Sequence, residues 1–223
     1  MSEILLCAQD LSFSYNKNCV ILSKCNLTVK EKNIYVLLGK NGSGKTTLLK
    51  CLNGIYQIDN GAIVSNIESV LINDSPKLYD YLTGMEYLHL VLNLNKKKNE
   101  SLAEQLIAEL ELKEHLDQLI NEYSLGTRHK LALITSLVLD YKLVLIDEPL
   151  TALDPQSSRI MIDYFKKIKK DITLIISTHM MHIAYDLADE ILLLHNEKIS
   201  QFPNNFSNFN GFEAFVLEEL SKK

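Results

Sequence analysis

The sequence predicts an α/β fold, with a mixed, mainly parallel core sheet, an antiparallel β subdomain at the N-terminus and an α-helical subdomain inserted in the middle. Three observations predict it. The runs IYVLL, LVLI and ITLII are continuously apolar over strand length, as in strands covered on both faces. The last two flank the helical stretch SSRIMIDYFKKIKK, and a strand-helix-strand order implies parallel neighbours. Residues from about 76 to 140 show helical spacing instead of strand alternation.

Taken in order, ILLCA, LSFSY and CNLTV alternate with period two around turn residues such as YNKN, which gives short antiparallel strands in the first third. IYVLL follows, then a glycine loop, then TTLLKCLNGI with helical spacing and Gly54 as its stop. In the middle, Thr83 with Glu86 and Ser101 with Glu104 read as capping boxes ahead of YLHLVLNL and QLIAELEL. ILLLHNEKIS reads as a closing hairpin and GFEAFVLEEL as a terminal helix. With no repeat, low-complexity tract or flexible linker, 1–223 reads as one domain, its core formed by 1–75 and 141–223 and its inserted subdomain by about 76–140.

Of the 223 residues, 47% are hydrophobic and 23% charged, which suffices for a buried globular core. A net charge of -5 argues against a protein that works by neutralising nucleic-acid phosphates, and the basic run Lys96–Lys98 reads as a solvated loop. Cys7, Cys19, Cys25 and Cys51 have neither CxxC spacing nor a histidine cluster, and read as reduced, mostly packed thiols of a cytosolic protein. The N-terminus MSEILLCAQD carries acid where a secretion signal needs base, and no apolar run nears the ~18 residues of a membrane span. The chain is therefore expected to be soluble on its own.

The stretch GKNGSGKTT comprises Gly39, Lys40, Asn41, Gly42, Ser43, Gly44, Lys45, Thr46 and Thr47, and fits a phosphate loop between a buried strand and a helix. Glycine lets successive N–H groups turn inward onto phosphate oxygens at the positive end of the helix, Lys45 reaches the outer phosphates, and Thr46 offers a hydroxyl to magnesium. LVLIDEP supplies the acid such a site needs, Asp147, with Glu148 behind it as a general base for water. In YSLGTRHKLALI, Ser124, Gly126 and Thr127 open a helix whose Leu131, Ile134, Leu137 and Val138 form an apolar stripe. That start is either a simple N-cap or a second anion site.

The order of these motifs resembles the ATP-binding cassette (ABC) ATPases over nearly the whole chain, and implies a P-loop NTPase fold binding ATP and Mg2+. By that resemblance Lys45 lies in Walker A, Asp147 and Glu148 in Walker B, and Ser124, Leu125, Gly126 and Thr127 in the signature, while Asp154 lies in the D-loop and His179 is the switch histidine. Tyr15 falls where the family stacks an aromatic ring on adenine. Two such domains would sandwich two ATP molecules, the signature of each facing the Walker A loop of the other. Glu148 would be the base, His179 would contact the γ-phosphate and water, and Asp154 would couple the sites. Thr46, Asp147 and Asp74 would hold the metal. Asp74 departs from the family's usual glutamine and cannot donate an amide hydrogen bond. Leu125 replaces a glycine and Thr127 a glutamine, a form similar to some exporter-type members.

By the same resemblance the chain powers transport from the inner face of the cell membrane. It would work with separately encoded permease subunits and a second ATPase subunit, and without nucleic acid. Tyr79, Tyr81, Tyr87, Leu78 and Leu82 would offer a permease helix its docking surface. YSLG, LYDYLTG and HMMHIAYDLADEI look like exporters of the ABC-2 type, including those for peptide antibiotics, and the short tail after Ile199 leaves little room for the regulatory domain of sugar importers. Two other readings stay open. A soluble nucleotide-gated clamp on a macromolecule is disfavoured by acidic charge and the lack of coiled-coil heptads. A small-molecule kinase would want an arginine-bearing lid, whereas arginine occurs only at 128 and 159.

Overall fold

The computed structural model describes residues 3–16, 18–95, 99–139, 141–151 and 153–222, so the expectation for Lys96–Lys98 lies outside the described residues. The chain forms two units, one of residues 1–71, 142–148 and 165–223, the other of 72–141 and 149–164.

In the first unit, β1 (Ile4–Asn16) pairs antiparallel with β2 (Cys19–Lys30) and, on its other side, with β4 (Asn60–Ser65). The expected strands ILLCA and LSFSY are one strand. Asp10 takes φ 49 and the register shifts between Ala8 and Leu11 against β2, so the polar Gln9-Asp10 pair is absorbed as a bulge and the strand continues. Neither β4 nor the four-residue β5 (Ser69–Ile72) was legible in the sequence, since β4 is largely exposed and β5 very short.

The second sheet has six strands in the order β5-β6-β7-β3-β8-β9, with β3 at Ile34–Leu38, β6 at Leu143–Ile146, β7 at Thr173–Thr178, β8 at Glu190–His195 and β9 at Lys198–Pro203. β6, β7, β3 and β8 run parallel and β9 returns antiparallel, which makes the sheet mixed. Every residue of β3, β6 and β7 is buried, and this explains the unbroken apolar runs of β3 and β6 and the apolar middle of β7. Tyr35, Leu37, Leu145, Ile175 and Leu192 of this sheet share one core with Leu48 and Leu49 of α1 (Lys45–Leu52). The β8–β9 hairpin closes through Asn196 and Glu197, at φ 47 and 63, without a glycine. α6 (Met181–Leu187) and α7 (Phe209–Ser221) complete the unit.

The second unit holds α2 (Gly84–Leu94), α3 (Glu100–Glu109) and α4 (Leu125–Leu137). Thr83 and Glu86 form the expected capping box. The box expected at Ser101 and Glu104 does not form. Asn99 caps α3 by accepting the Leu102 N–H at 3.0 Å, so Ser101 already lies in the first turn. Leu131, Ile134, Leu137 and Val138 are buried as the stripe required. α5 (Pro155–Ile168) follows. All four cysteines are free, Cys25 and Cys51 buried, and burial pushes the Cys51 thiol up to about 11. Among the described residues no helix is long and apolar enough to cross a membrane.

Candidate functional site

The glycine loop sits between β3 and α1. Gly42 and Gly44 take φ 78 and 104, and Gly44 caps α1 from that left-handed backbone, so Lys45 is the first helical residue. The helix N-terminus thus faces the loop with its first N–H groups unpaired within the helix. Lys45 is only 6% exposed. Its Nζ lies 3.0 Å from the Gly39 carbonyl, 3.3 Å from that of Lys40 and 3.2 Å from Glu148 Oε1. Asn41 is exposed, and the Ser43 hydroxyl is buried with no hydrogen-bond partner among the described residues. Tyr15 is over half exposed, its ring edge-on to Phe13 and Tyr56, its hydroxyl 2.9 Å from Thr47 Oγ1.

Five further residues gather beside Lys45, from the start of α1 and from the C-terminal ends of β6 and β7 and the positions just past them. Asp147 is buried, one carboxylate oxygen accepting the Thr46 hydroxyl at 2.6 Å and the other the Ser177 hydroxyl at 2.5 Å. Glu148 takes φ 48, and its N–H donates to Ser177 Oγ at 2.9 Å. Its carboxylate lies between Lys45 and His179, whose Nδ1 is 3.1 Å from Oε2. The first unit therefore brings together Lys45, Thr46, Asp147, Glu148 and His179, which are up to 134 residues apart in sequence (179 minus 45). Ser177 was missed. The one sequence signal was a polar Ser-Thr end on the otherwise apolar ITLIIST.

Thr46 and Asp147 offer hard oxygen donors, which suit a small divalent cation. Among the described residues no three His, Cys, Asp or Glu side chains cluster as a metal site. A cation held by this pair would complete its shell with phosphate and water oxygens, the habit of Mg2+.

The second unit carries the other predicted residues. Ser124 caps α4, accepting the Thr127 N–H at 3.1 Å, with the two hydroxyls 2.7 Å apart. Leu125 beside it is 53% exposed, and Gly126 forms part of the first turn. Asp154 caps α5 through the Ser157 N–H at 2.8 Å and the Ser157 hydroxyl at 2.6 Å, and Lys130 of α4 lies 3.7 Å away. Those bonds, the hydroxyl first, hold its carboxyl below the usual range. Asp74 is exposed, and its backbone neighbours the buried ring of His129. Burial pushes that imidazole down while the Asp74 backbone and charge pull it back, and its Nδ1 has no partner among the described residues. Arg128 donates to Asp80 at 2.7 Å and to the Ile120 carbonyl at 3.0 Å. Tyr79, Asp80, Tyr81, Leu82 and Leu90 line an open concavity of about 310 Å³, with Tyr79 and Tyr81 largely exposed and Tyr87 half-buried.

A phosphate loop on a parallel sheet, facing an acid pair and a histidine, defines a P-loop NTPase. The family profile described as ABC transporter matches residues 22–151, more than half of the chain, and the chain belongs to that family as an ABC ATPase, an ATP-binding subunit of a transporter. It is 29% identical over 211 residues to the SkfA peptide export ATP-binding protein SkfE of Bacillus subtilis, covering 88% of each. It is 26% identical to the glutamine transport ATP-binding protein GlnQ of Geobacillus stearothermophilus, covering 80% of this chain and 82% of that one. Its match to the ABC transporter ATP-binding protein YdbJ of Bacillus subtilis, 28% identical over 80% of this chain, spans 63% of that protein's length. A solved structure of the ATP-binding subunit of an ABC transporter superposes with a TM-score of 0.85 at 25% identity, covering 98% of this chain and all of the other.

Proposed function

We propose that this chain hydrolyses ATP with Mg2+ to drive a separately encoded membrane permease in the direction of export, from the inner face of the membrane. The single observation that carries the ATPase part is the convergence of Lys45, Thr46, Asp147, Glu148 and His179. Lys45 and the loop N–H groups bind the phosphates, with Tyr15 at the base. Thr46 and Asp147 would hold the cation, which supplies charge neutralisation on the phosphates when bound. Glu148 takes the proton of the attacking water, and His179 orients Glu148 and meets the γ-phosphate.

The α4 start supports a two-subunit arrangement. Ser124 and Leu125 are exposed at a helix N-terminus that has no phosphate loop of its own, so they serve the ATP of a second subunit, and Asp154 ties that face to α4 through Lys130. Residues 1–75 and 141–223 act as the core and about 76–140 as its helical subdomain. The apolar concavity at Tyr79–Leu82 receives a permease helix, and the Asp80–Arg128 pair passes the contact to α4. The likeness to SkfE supports export. The docking role of the concavity is sunk if Tyr79→Ala with Leu82→Ala leaves recruitment to permease-bearing membranes unchanged.

The test of the motor is light scattering on the Glu148→Gln protein with and without ATP and Mg2+, beside turnover by the unchanged chain. The expected result is an ATP-dependent doubling of mass with turnover lowered about 10²–10⁴-fold. A variant that hydrolyses ATP at the unchanged rate removes Glu148 as the base, and one that binds ATP as a monomer removes the two-subunit sandwich.

A further inference from the structure

We propose that Ser177 is a positioning residue that sets both acids of the site, a role that rests on the reading of Asp147 and Glu148 given above. Ser177 lies in β7 and is fully buried. β6 and β7 pair with Ile146 opposite Ile176, and one step further on each chain places Asp147 beside Ser177. The backbone there leaves the sheet. Glu148 adopts φ 48, a left-handed conformation that residues other than glycine rarely take, and its N–H needs a partner other than a strand.

Ser177 Oγ is that partner at 2.9 Å, while its own proton goes to Asp147 Oδ1 at 2.5 Å. A hydroxyl has one proton to give and lone pairs to accept with, so it serves both neighbours at once. Each bond fixes a different acid. Asp147 is held at both oxygens, by Ser177 and by Thr46, and its carboxylate cannot rotate. Glu148 is held by its backbone, and the left-handed turn aims its carboxylate at Lys45 and His179. Alanine at 177 removes the hydroxyl to which the Glu148 N–H donates, and with it the bond that holds the left-handed turn; a return of Glu148 to negative φ carries the base away from the site.

The experiment compares Ser177→Ala, Ser177→Thr and Ser177→Val with the unchanged chain, and includes Glu148→Gln. Turnover is measured at saturating ATP, and the dissociation constant of a fluorescent ATP analogue is measured in EDTA and in Mg2+, together with melting temperature. The expected result for Ser177→Ala is turnover lower by about ten- to hundredfold, affinity in EDTA within about twofold, and the gain in affinity on adding Mg2+ reduced about tenfold. Thr keeps an Oγ and recovers turnover; Val, of the same shape, does not. Ser177→Ala turnover and Mg2+ gain within about twofold of the unchanged chain, or equal turnover in Thr and Val, overturns the role. So does a loss of EDTA affinity together with melting temperature, which marks Ser177 as packing alone. Normal turnover in Glu148→Gln overturns the assignment of the base itself, whereas a dead Glu148→Gln beside a normal Ser177→Ala overturns the role of Ser177 alone.

Discussion

Replacing Gly44 with alanine separates the two demands the phosphate loop makes on its backbone. Gly44 takes φ 104, well beyond the left-handed well open to side-chain-bearing residues, and holding Ala there costs roughly 1–3 kcal/mol. An added Cβ would also lie 2.6 Å from Ile21 Cγ2, with its next neighbours, the Ile21 carbonyl and Leu194 Cδ2, at ordinary contact distances of 3.6 and 3.7 Å. Overpacking of this kind costs about 1–3 kcal/mol more, for a total of about 2–6 kcal/mol. Because the overlap is with Ile21 alone, Ile21→Ala should relieve the second part and leave the first. A double-mutant cycle by urea denaturation, followed by circular dichroism since the chain has no Trp, should show the pair less destabilised than the sum by about 1–3 kcal/mol. Additivity within about 0.5 kcal/mol, or a Gly44→Ala cost below about 1 kcal/mol, refutes the reasoning.

Asn99→Ala should cost about 1 kcal/mol in the same assay and Ser101→Ala less than about 0.5, and the reverse order refutes the cap at Asn99. Burial holds His129 below its ordinary 6.5, so the unfolded chain takes up the proton first. The stability from neutral burial is present above pH 6.5 and is lost as pH falls through 6.5 toward the lower folded value. Urea midpoints at pH 7.5 and 5.5 should therefore drop less in His129→Gln than in the unchanged chain, and equal drops refute it.

The phosphate loop was legible because its chemistry is local: Gly39 to Thr47 are contiguous, and the residue types and spacing themselves carry the demand for positive φ and inward N–H groups. The order of motifs along the chain, the buried parallel strands and the Thr83 capping box were legible for the same reason, each being a pattern over a few neighbouring residues. The long β1 was read as two strands because Gln9-Asp10 has the composition of a turn, and only pairing on both sides holds it as a bulge. Asn99 won over Ser101 because either residue can cap, and packing of α3 decides where the first turn begins. Ser177 left only a weak mark in the sequence, the polar end of an apolar strand. Its role follows from the β6–β7 register, and because side chains alternate faces with period two, a slip of one residue would put Ile176 or Thr178 beside Asp147 instead. The sequence alone picked out the candidate groups for phosphate, metal and water; the tertiary structure decided which hydroxyl sits between the two acids, because that contact joins residues 30 positions apart.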